Sequence, residues 1–170
     1  MGLTVLLGGA RSGKSSMAVR MGARWDGPVT LIATAEARDE DMAARIGRHR
    51  AERPAAWKTI EEPVDVSGAL RSCPDEAFVI VDCLTLWTSN LMERELDVRS
   101  LAAASAVLAA GRNAPVVAVS NEVGLGIHPA DALSRRYRDL HGAVNAIWCE
   151  HAERALLVVA GRTLDLERMP

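Results

Sequence analysis

The sequence is poor in aromatic residues and has no long apolar segment. Aromatic side chains make up 4% of its 170 residues, so we expect a core built mainly from alanine, valine, leucine and isoleucine. No apolar run approaches the roughly 18 residues that a membrane-spanning helix needs. Hydrophobic residues at 49% and charged residues at 25% are typical of a soluble globular protein, and the length suits one domain over residues 1–170.

Cysteine is also scarce, and neither sign of charge is in excess. Cys73, Cys83 and Cys149 are odd in number and widely spaced, which favours reduced thiols over a disulfide framework or a zinc site. The net charge of −2 argues against a protein that binds nucleic acid through a basic surface. We therefore expect a cytoplasmic protein without a nucleic-acid partner, in which local features hold any anionic ligand.

A phosphate-binding loop near the N-terminus is the strongest motif present. It follows the pattern Gly, four residues, Gly, Lys, Ser/Thr, between an apolar run that predicts a strand and a segment that predicts a helix. Glycines allow the backbone N–H groups to turn toward phosphate oxygens, the lysine can reach the β- and γ-phosphates, and the serine hydroxyl can ligate Mg²⁺. The residues of the motif are Gly8, Gly9, Ala10, Arg11, Ser12, Gly13, Lys14 and Ser15.

Apolar runs alternate with helical patterns along the rest of the chain. Predicted strands cover 3–8, 29–34, 77–82, 115–120 and, last, 155–160; predicted helices cover 14–24, 35–50, 65–72, 84–94, a segment ending at Gly111, and 133–151. Residues 53–64 are predicted to be mostly loop. Strands that are continuous apolar runs between helices are typical of a doubly wound parallel sheet with helices on both faces.

Ligands bind at the carboxyl ends of the strands in such sheets. The 33–35 segment, Asp82 and Asn121-Glu122 follow strands and should meet the phosphate loop there. Asp82 can serve as the second magnesium-organising carboxylate or as the N-cap of the next helix. Glu61-Glu62 is either an exposed acidic turn or a guanine-reading pair, since a carboxylate can accept hydrogen bonds from guanine N–H groups.

His49 lies among four arginines in residues 45–53. Nearby cations disfavour the imidazolium, so we expect a neutral, nucleophilic histidine in a field that attracts a triphosphate. The alternative is a solvated basic helix end. The basic segment 135–138 has the same two interpretations: a charge clamp on a transferring phosphoryl group, or the wet face of an amphipathic helix.

Taken together, these segments resemble a known family. The segments are the phosphate loop, Ile32 to Ala35, the His49 segment, Trp57 to Pro63, Asp82 to Asn90, the Ser-Asn-Glu-Val-Gly run at 120–124, and Arg136 to Asn145. From about residue 5 to 161 the chain resembles the bifunctional adenosylcobinamide kinase/adenosylcobinamide-phosphate guanylyltransferases of cobalamin biosynthesis. Ala146 departs from the pattern, where the family often has Gln.

The resemblance implies a RecA-like P-loop NTPase fold with one antiparallel edge strand, and a homotrimer. It implies that His49 attacks the α-phosphorus of GTP and carries GMP, while Lys14, Ser15 and Mg²⁺ serve phosphoryl transfer from ATP or GTP. Ser15 and Asp82 are the implied metal ligands. Implied guanine-nucleotide contacts are Ala33, Thr34, Ala35, Arg50, Ala51, Glu52, Arg53, Glu61, Glu62 and Asp82, with Glu61 slightly favoured over Glu62.

The implied partners are GTP, ATP, adenosylcobinamide and its phosphate. The enzyme would phosphorylate adenosylcobinamide and then convert the product to adenosylcobinamide-GDP with release of pyrophosphate. Two alternatives stay open: a small-molecule kinase without the transferase step, and a regulatory NTPase or nucleotide-binding module.

Overall fold

Alternating strands and helices run through the computed structural model, which describes residues 2–51 and 54–168, without the side chains of Arg45 and His49. In chain order the elements are β1 (Leu3–Leu7), α1 (Lys14–Gly22), β2 (Val29–Ala33), α2 (Glu40–Ala51), β3 (Lys58–Glu61), α3 (Val66–Ser72), β4 (Phe78–Asp82), α4 (Leu84–Glu93), α5 (Val98–Ala110), β5 (Val116–Val119), α6 (Ala132–His151), β6 (Arg154–Val159) and β7 (Arg162–Leu166).

The strands form one sheet in the order β3-β2-β4-β5-β1-β6-β7. All neighbouring pairs are parallel except β6 and β7, which form an antiparallel hairpin at one edge. The central strands are buried because both faces are covered, which explains why they read as continuous apolar runs. The predicted doubly wound, mostly parallel sheet is confirmed, as is the antiparallel edge strand that the family resemblance implied.

Two apolar clusters cover the two faces of the sheet. Ala18 of α1 packs on one face with Leu6, Leu31 and Ile80. The other face carries α3, α4, α5 and α6, and Trp87 and Trp148 meet edge to face there with ring centroids 6.4 Å apart. Both tryptophans are fully buried, as expected for packing residues. None of the helices in the described residues is long and apolar enough to cross a membrane.

Three boundaries differ from the sequence-based prediction. Residues 58–61, predicted as loop, form the edge strand β3, and β7 lies beyond the predicted last strand. Both are edge strands whose side chains are mostly exposed, so they have no apolar run to reveal them. Helix α2 begins at Glu40 instead of Ala35, because the Asp39 carboxylate accepts a hydrogen bond (2.7 Å) from the N–H of Met42 and caps the helix there.

Candidate active site

A cavity of about 730 Å³ lies at the carboxyl ends of the central strands, beside the phosphate loop and α2. Its lining therefore combines loop atoms, strand ends and one helix face. The lining residues are Ala10, Arg11, Ser12, Gly13, Lys14, Ser15, Ser16, Ala33, Ala35, Ala37, Met42, Ala43, Ile46, Gly47, Arg48, Arg50, Glu61, Asp82, Cys83, Leu86, Val119 and Asn121.

The backbone of the phosphate loop depends on two glycines with positive φ. Gly8 has φ 148°, and a Cβ there would lie 2.2 Å from the carbonyl oxygen of Val158 in β6. Gly13, with φ 104°, is the N-cap of α1 and has no side chain to occupy the end of the helix. The turn between β6 and β7 supports the loop from below, because the N–H of Gly161 donates to the carbonyl oxygen of Ser12 at 2.9 Å. The first turn of α1, from Lys14 to Ser16, lines the cavity, and the N–H groups of a first helical turn have no acceptor within their own helix.

Lys14 is buried at the base of this loop. Its Nζ donates to the carbonyl oxygens of Gly8 (2.8 Å) and Gly9 (2.7 Å) and to Oγ of Ser12 (3.3 Å). Burial lowers the pKa of Lys14, and the nearby acidic groups Cys83 and Asp82 oppose that shift. The hydrogen bonds that Lys14 makes to these neutral oxygens do not balance its charge, so a desolvated cation here gains from the negative charge that an arriving phosphate adds to that of Asp82.

Asp82 ends β4 and Cys83 follows it, and both line the cavity. The N-cap of α4 is Cys83, without a side-chain capping bond, so the alternative role of Asp82 as N-cap is not seen. Burial raises the pKa of the Cys83 thiol to about 11, and the negative charge of Asp82 contributes to the shift. The thiol is therefore neutral near pH 7 and is a poor nucleophile.

The other end of the cavity is formed by α2 and β3. Arg48 and Arg50 of α2 line it, and Arg50 forms an ion pair with Glu61, the last residue of β3. Met42 and Ile46 also line the cavity. Their helical spacing comes from facing the cavity, since neither belongs to a core cluster.

The two glutamates at the end of β3 have different environments. Glu61 lines the cavity, whereas Oε1 of Glu62 accepts hydrogen bonds from the N–H groups of Val64 (2.9 Å) and Asp65 (2.8 Å). Glu62 thus stabilises the turn before α3, and only Glu61 is placed to meet a ligand in the cavity.

The structure brings most, not all, of the expected site residues to the cavity wall. Thr34 is fully buried: its hydroxyl donates to the carbonyl oxygen of Cys83 (2.7 Å) and accepts from the N–H of Cys83 (2.9 Å), joining the ends of β2 and β4. Gly8 and Gly9 contribute carbonyl groups to Lys14, and Ala51 ends α2 away from the lining. The side chain of His49, and Glu52 and Arg53 altogether, lie outside the described residues.

Asn121 follows a predicted strand and was therefore expected near the phosphate loop, at the carboxyl edge of a parallel sheet. It lines the cavity. The arginines of α6 do not line the cavity. Arg135 donates to the carbonyl oxygens of Pro129 (3.0 Å) and Ala130 (2.6 Å), and Arg138 bonds His128 (2.8 Å), so both hold the loop before α6.

Solved structures share this fold at low sequence identity. The flagellar accessory protein FlaH from Methanocaldococcus jannaschii matches with a TM-score of 0.52 at 15% identity, covering 95% of this chain and 74% of its own. The Pyrococcus horikoshii protein PH0250 gives a TM-score of 0.57 at 8% identity, covering 96% and 85%. The RadB recombinase gives 0.50 at 13% identity, covering 92% and 73%. These likenesses show the RecA-like P-loop NTPase fold.

Sequence comparison is more specific. The family model for cobinamide kinase / cobinamide phosphate guanyltransferase matches residues 4–166. The bifunctional adenosylcobalamin biosynthesis protein CobP of Pseudomonas aeruginosa is 43% identical over 169 residues, which is 98% of each chain. The bifunctional adenosylcobalamin biosynthesis protein CobU of Salmonella typhimurium is 36% identical over 181 residues, covering 94% of this chain and 96% of its own. With a P-loop fold, a cavity that joins the phosphate loop to the Arg50–Glu61 pair, and a family match over nearly its full length, the chain belongs to the cobinamide kinase / cobinamide phosphate guanyltransferase family.

Proposed function

We propose that this protein is a bifunctional enzyme of cobalamin biosynthesis that phosphorylates adenosylcobinamide and then transfers GMP from GTP to the phosphorylated product. The observation that carries the proposal is one cavity with two chemically different ends, the phosphate loop with Lys14 at one and the Arg50–Glu61 pair of α2 and β3 at the other. The strand order separates β1 from β3 by four strand spacings, roughly 19 Å at 4.8 Å each. A nucleoside triphosphate bound along the cavity would extend its phosphates toward one end and its base toward the other.

In the kinase reaction, Lys14 holds the terminal phosphates of ATP or GTP. The aminopropanol hydroxyl oxygen of adenosylcobinamide forms a bond to the γ-phosphorus while the bond to the β-phosphate oxygen breaks, and the hydroxyl proton passes to water. Negative charge spreads over the γ-phosphoryl oxygens in this step, so the ammonium of Lys14 and the N–H groups at the start of α1 stabilise it.

Mg²⁺ would be held by Ser15 and Asp82, a hydroxyl and a carboxylate that line the same cavity. The donors fit this hard cation, which prefers oxygen ligands and keeps several waters and phosphate oxygens around it. The cation would neutralise charge on the β- and γ-phosphates.

In the transferase reaction, His49 is the proposed nucleophile. An imidazole nitrogen forms a bond to the α-phosphorus of GTP as pyrophosphate leaves; a phosphate oxygen of adenosylcobinamide phosphate then replaces the nitrogen, giving adenosylcobinamide-GDP. The neighbours of His49 on α2, Arg48 and Arg50, line the cavity and would attract the triphosphate. Glu61 would accept hydrogen bonds from the guanine N–H groups, because Glu62 is committed to backbone N–H groups.

We further propose a homotrimer in the cytoplasm. The β6–β7 hairpin exposes Val159 and Leu164, apolar residues on the uncovered edge of the sheet, which supports a contact between subunits. The three cysteines are unpaired, as a reducing compartment favours.

Mass spectrometry of the protein after incubation with GTP and Mg²⁺ tests the function. The expected result is a mass gain of one GMP, which disappears when adenosylcobinamide phosphate is added and adenosylcobinamide-GDP forms. Phosphorylation of adenosylcobinamide without any protein-bound GMP would instead identify a kinase without the transferase step. Nucleotide hydrolysis that ignores corrinoids would identify a regulatory NTPase.

A further inference from the structure

A buried polar network joins α6 to the end of β5, and none of the chemistry above uses it. His141 of α6 is fully buried. Its Nε2 lies 2.9 Å from the carbonyl oxygen of Asn121 and 3.2 Å from Oγ of Ser120, and its Nδ1 lies 3.0 Å from Oγ1 of Thr88 in α4. Tyr137, one turn earlier, lies parallel to the imidazole with ring centroids 5.6 Å apart. A polar side chain in a core is costly unless every group is bonded, so this network is a specific arrangement.

The hydrogen-bond partners determine where the protons lie. The carbonyl oxygen of Asn121 can only accept, so Nε2 of His141 carries a proton and donates. Burial lowers the pKa of His141, which favours the neutral ring. Its Nδ1 faces the Thr88 hydroxyl, which donates to the carbonyl oxygen of Leu84 at 2.8 Å. The Ser120 hydroxyl donates to Oδ1 of Asn145 at 2.5 Å, which orients the Asn145 amide so that its Nδ2 donates to Asn121 at 3.1 Å.

The network holds the backbone of Asn121 from both sides. Its carbonyl oxygen accepts from His141 and Asn145, while its N–H donates to Oγ1 of Thr85 at 2.8 Å. The next N–H, that of Glu122, donates to the carbonyl oxygen of Gly8 at 3.0 Å, so the end of β5 is also attached to the phosphate loop.

The carboxamide of Asn121 has no hydrogen-bond partner among the described residues, and Asn121 lines the cavity. Strand β5 lies between β4, which ends at Asp82, and β1, which leads into the phosphate loop. Asn121 is therefore at the phosphate end of the cavity, and Glu61 of β3 is three strand spacings away, roughly 14 Å at 4.8 Å each.

We propose that Asn121 is a catalytic residue of the kinase step, donating a hydrogen bond from Nδ2 to the γ-phosphoryl group in transfer, and that His141 is a positioning residue that acts through the Asn121 backbone. This inference rests on the proposed kinase function. The amide adds a donor beside Lys14 without adding charge, and a fixed donor is effective because it needs no rearrangement as charge develops. If the Asn121 backbone were not held in place, the carboxamide could move away from the γ-phosphoryl group. This would lower kcat of the kinase step and leave the Kd for nucleotide unchanged.

A double-mutant cycle on the full-length protein tests both roles. The variants are Asn121→Ala, His141→Phe, His141→Gln and the double variant Asn121→Ala/His141→Phe, with His151→Gln at the far end of α6 as the matched control. The measurements are kcat and KM for adenosylcobinamide phosphorylation, nucleotide Kd and melting temperature. We expect kcat to fall about 100-fold in Asn121→Ala, as for loss of one transition-state donor. We expect about a tenfold fall in His141→Phe and less than threefold in His141→Gln, which keeps a donor near Nε2; nucleotide Kd should change less than threefold throughout.

The decisive comparison is His141→Phe in the Asn121→Ala background. If His141 acts by positioning Asn121, adding His141→Phe to Asn121→Ala should lower kcat less than twofold further, because the group that His141 positions is already absent. A full further tenfold fall would show that His141 acts otherwise and overturn its assigned role. Should His141→Phe not fold, Thr85→Val removes the acceptor of the Asn121 N–H and enters the same cycle. Wild-type protein that fails to phosphorylate adenosylcobinamide would refute the proposed function. If the wild type is active and the kcat of Asn121→Ala lies within twofold of the wild-type kcat, only this inference is refuted.

Discussion

Arg50, near the end of α2, forms an ion pair with Glu61, the last residue of β3. The pair links the helix that carries His49 to the strand end that we assign to guanine recognition. Because both partners line the cavity, an arriving GTP would meet the cation and the carboxylate together.

Exchanging the two neighbouring glutamates for glutamine should separate recognition from stability. Glu61→Gln should raise the KM for GTP in guanylylation about 10- to 100-fold, since hydrogen bonds to a charged group contribute about 1.5–3 kcal/mol. It should also reduce the preference for GTP over ITP, which lacks the guanine amine. Glu62→Gln should leave that KM near the wild-type value and lower the melting temperature, because its carboxylate holds two backbone N–H groups. The opposite pattern would assign guanine recognition to Glu62.

Replacing Lys14 with methionine should remove activity without loss of stability. We expect kcat/KM of the kinase step to fall at least about 100-fold, and the melting temperature to stay equal or rise, because a buried ammonium no longer needs to be desolvated. The lowered pKa means that, between that pKa and the ordinary value of 10.5, the unfolded wild type binds more protons than the folded one. Wild-type stability relative to Lys14→Met should therefore rise with pH across that interval.

Lys58→Met is the matched control, since Lys58 is the other lysine of the chain and is exposed on the edge strand β3. It should keep kinase activity. Near-normal turnover in folded Lys14→Met would contradict the phosphate-loop assignment.

The first two glycines of the loop should respond differently to alanine. Gly8→Ala combines a positive φ with a Cβ 2.2 Å from the Val158 carbonyl oxygen, so we expect a loss of about 3 kcal/mol or more in the free energy of unfolding. A Cβ at Gly9 would meet open space, with no atom beyond its chain neighbours within 4 Å among the described residues, and Gly9→Ala should cost less than about 0.5 kcal/mol. Urea unfolding measures both; equal losses would mean that the Val158 contact does not limit the loop.

Assembly should depend on the β6–β7 hairpin. Leu164 is 61% exposed, so Leu164→Glu should leave the subunit folded while reducing the mass in light scattering from three subunits to one. Val107→Glu on α5, 54% exposed, is the control and should stay trimeric. A wild-type protein that is monomeric and fully active would rule out the proposed trimer.

His49 should become labelled by α-³²P-GTP and not by γ-³²P-GTP, because pyrophosphate leaves. Protonation turns the imidazole into a good leaving group, so the label should be lost in acid and survive alkali. His49→Ala should abolish labelling and GMP transfer and leave much of the kinase step, whereas His151→Ala should keep both. An acid-labile α-label on His49→Ala would identify a different nucleophile.

Local chemistry determined much of this protein from the sequence alone. The phosphate loop and the central strands follow from glycine conformations, helix signals and apolar runs that extend over a few residues. The family resemblance was equally readable, since its motifs are short segments in a fixed order, and the match over residues 4–166 confirms it.

Only the tertiary structure decided which polar groups meet. Strands β3 and β7 form because neighbouring strands offer them unpaired backbone groups, which their own mostly exposed side chains do not signal. In the packed structure Thr34 forms a hydrogen bond between the ends of two strands, and Glu62 forms hydrogen bonds within a turn, whereas Glu61 lines the cavity. It also brought His141, 20 residues further along the chain, against the backbone of Asn121. These outcomes depend on distances across the sheet, and the order of residue types along the chain does not specify those distances.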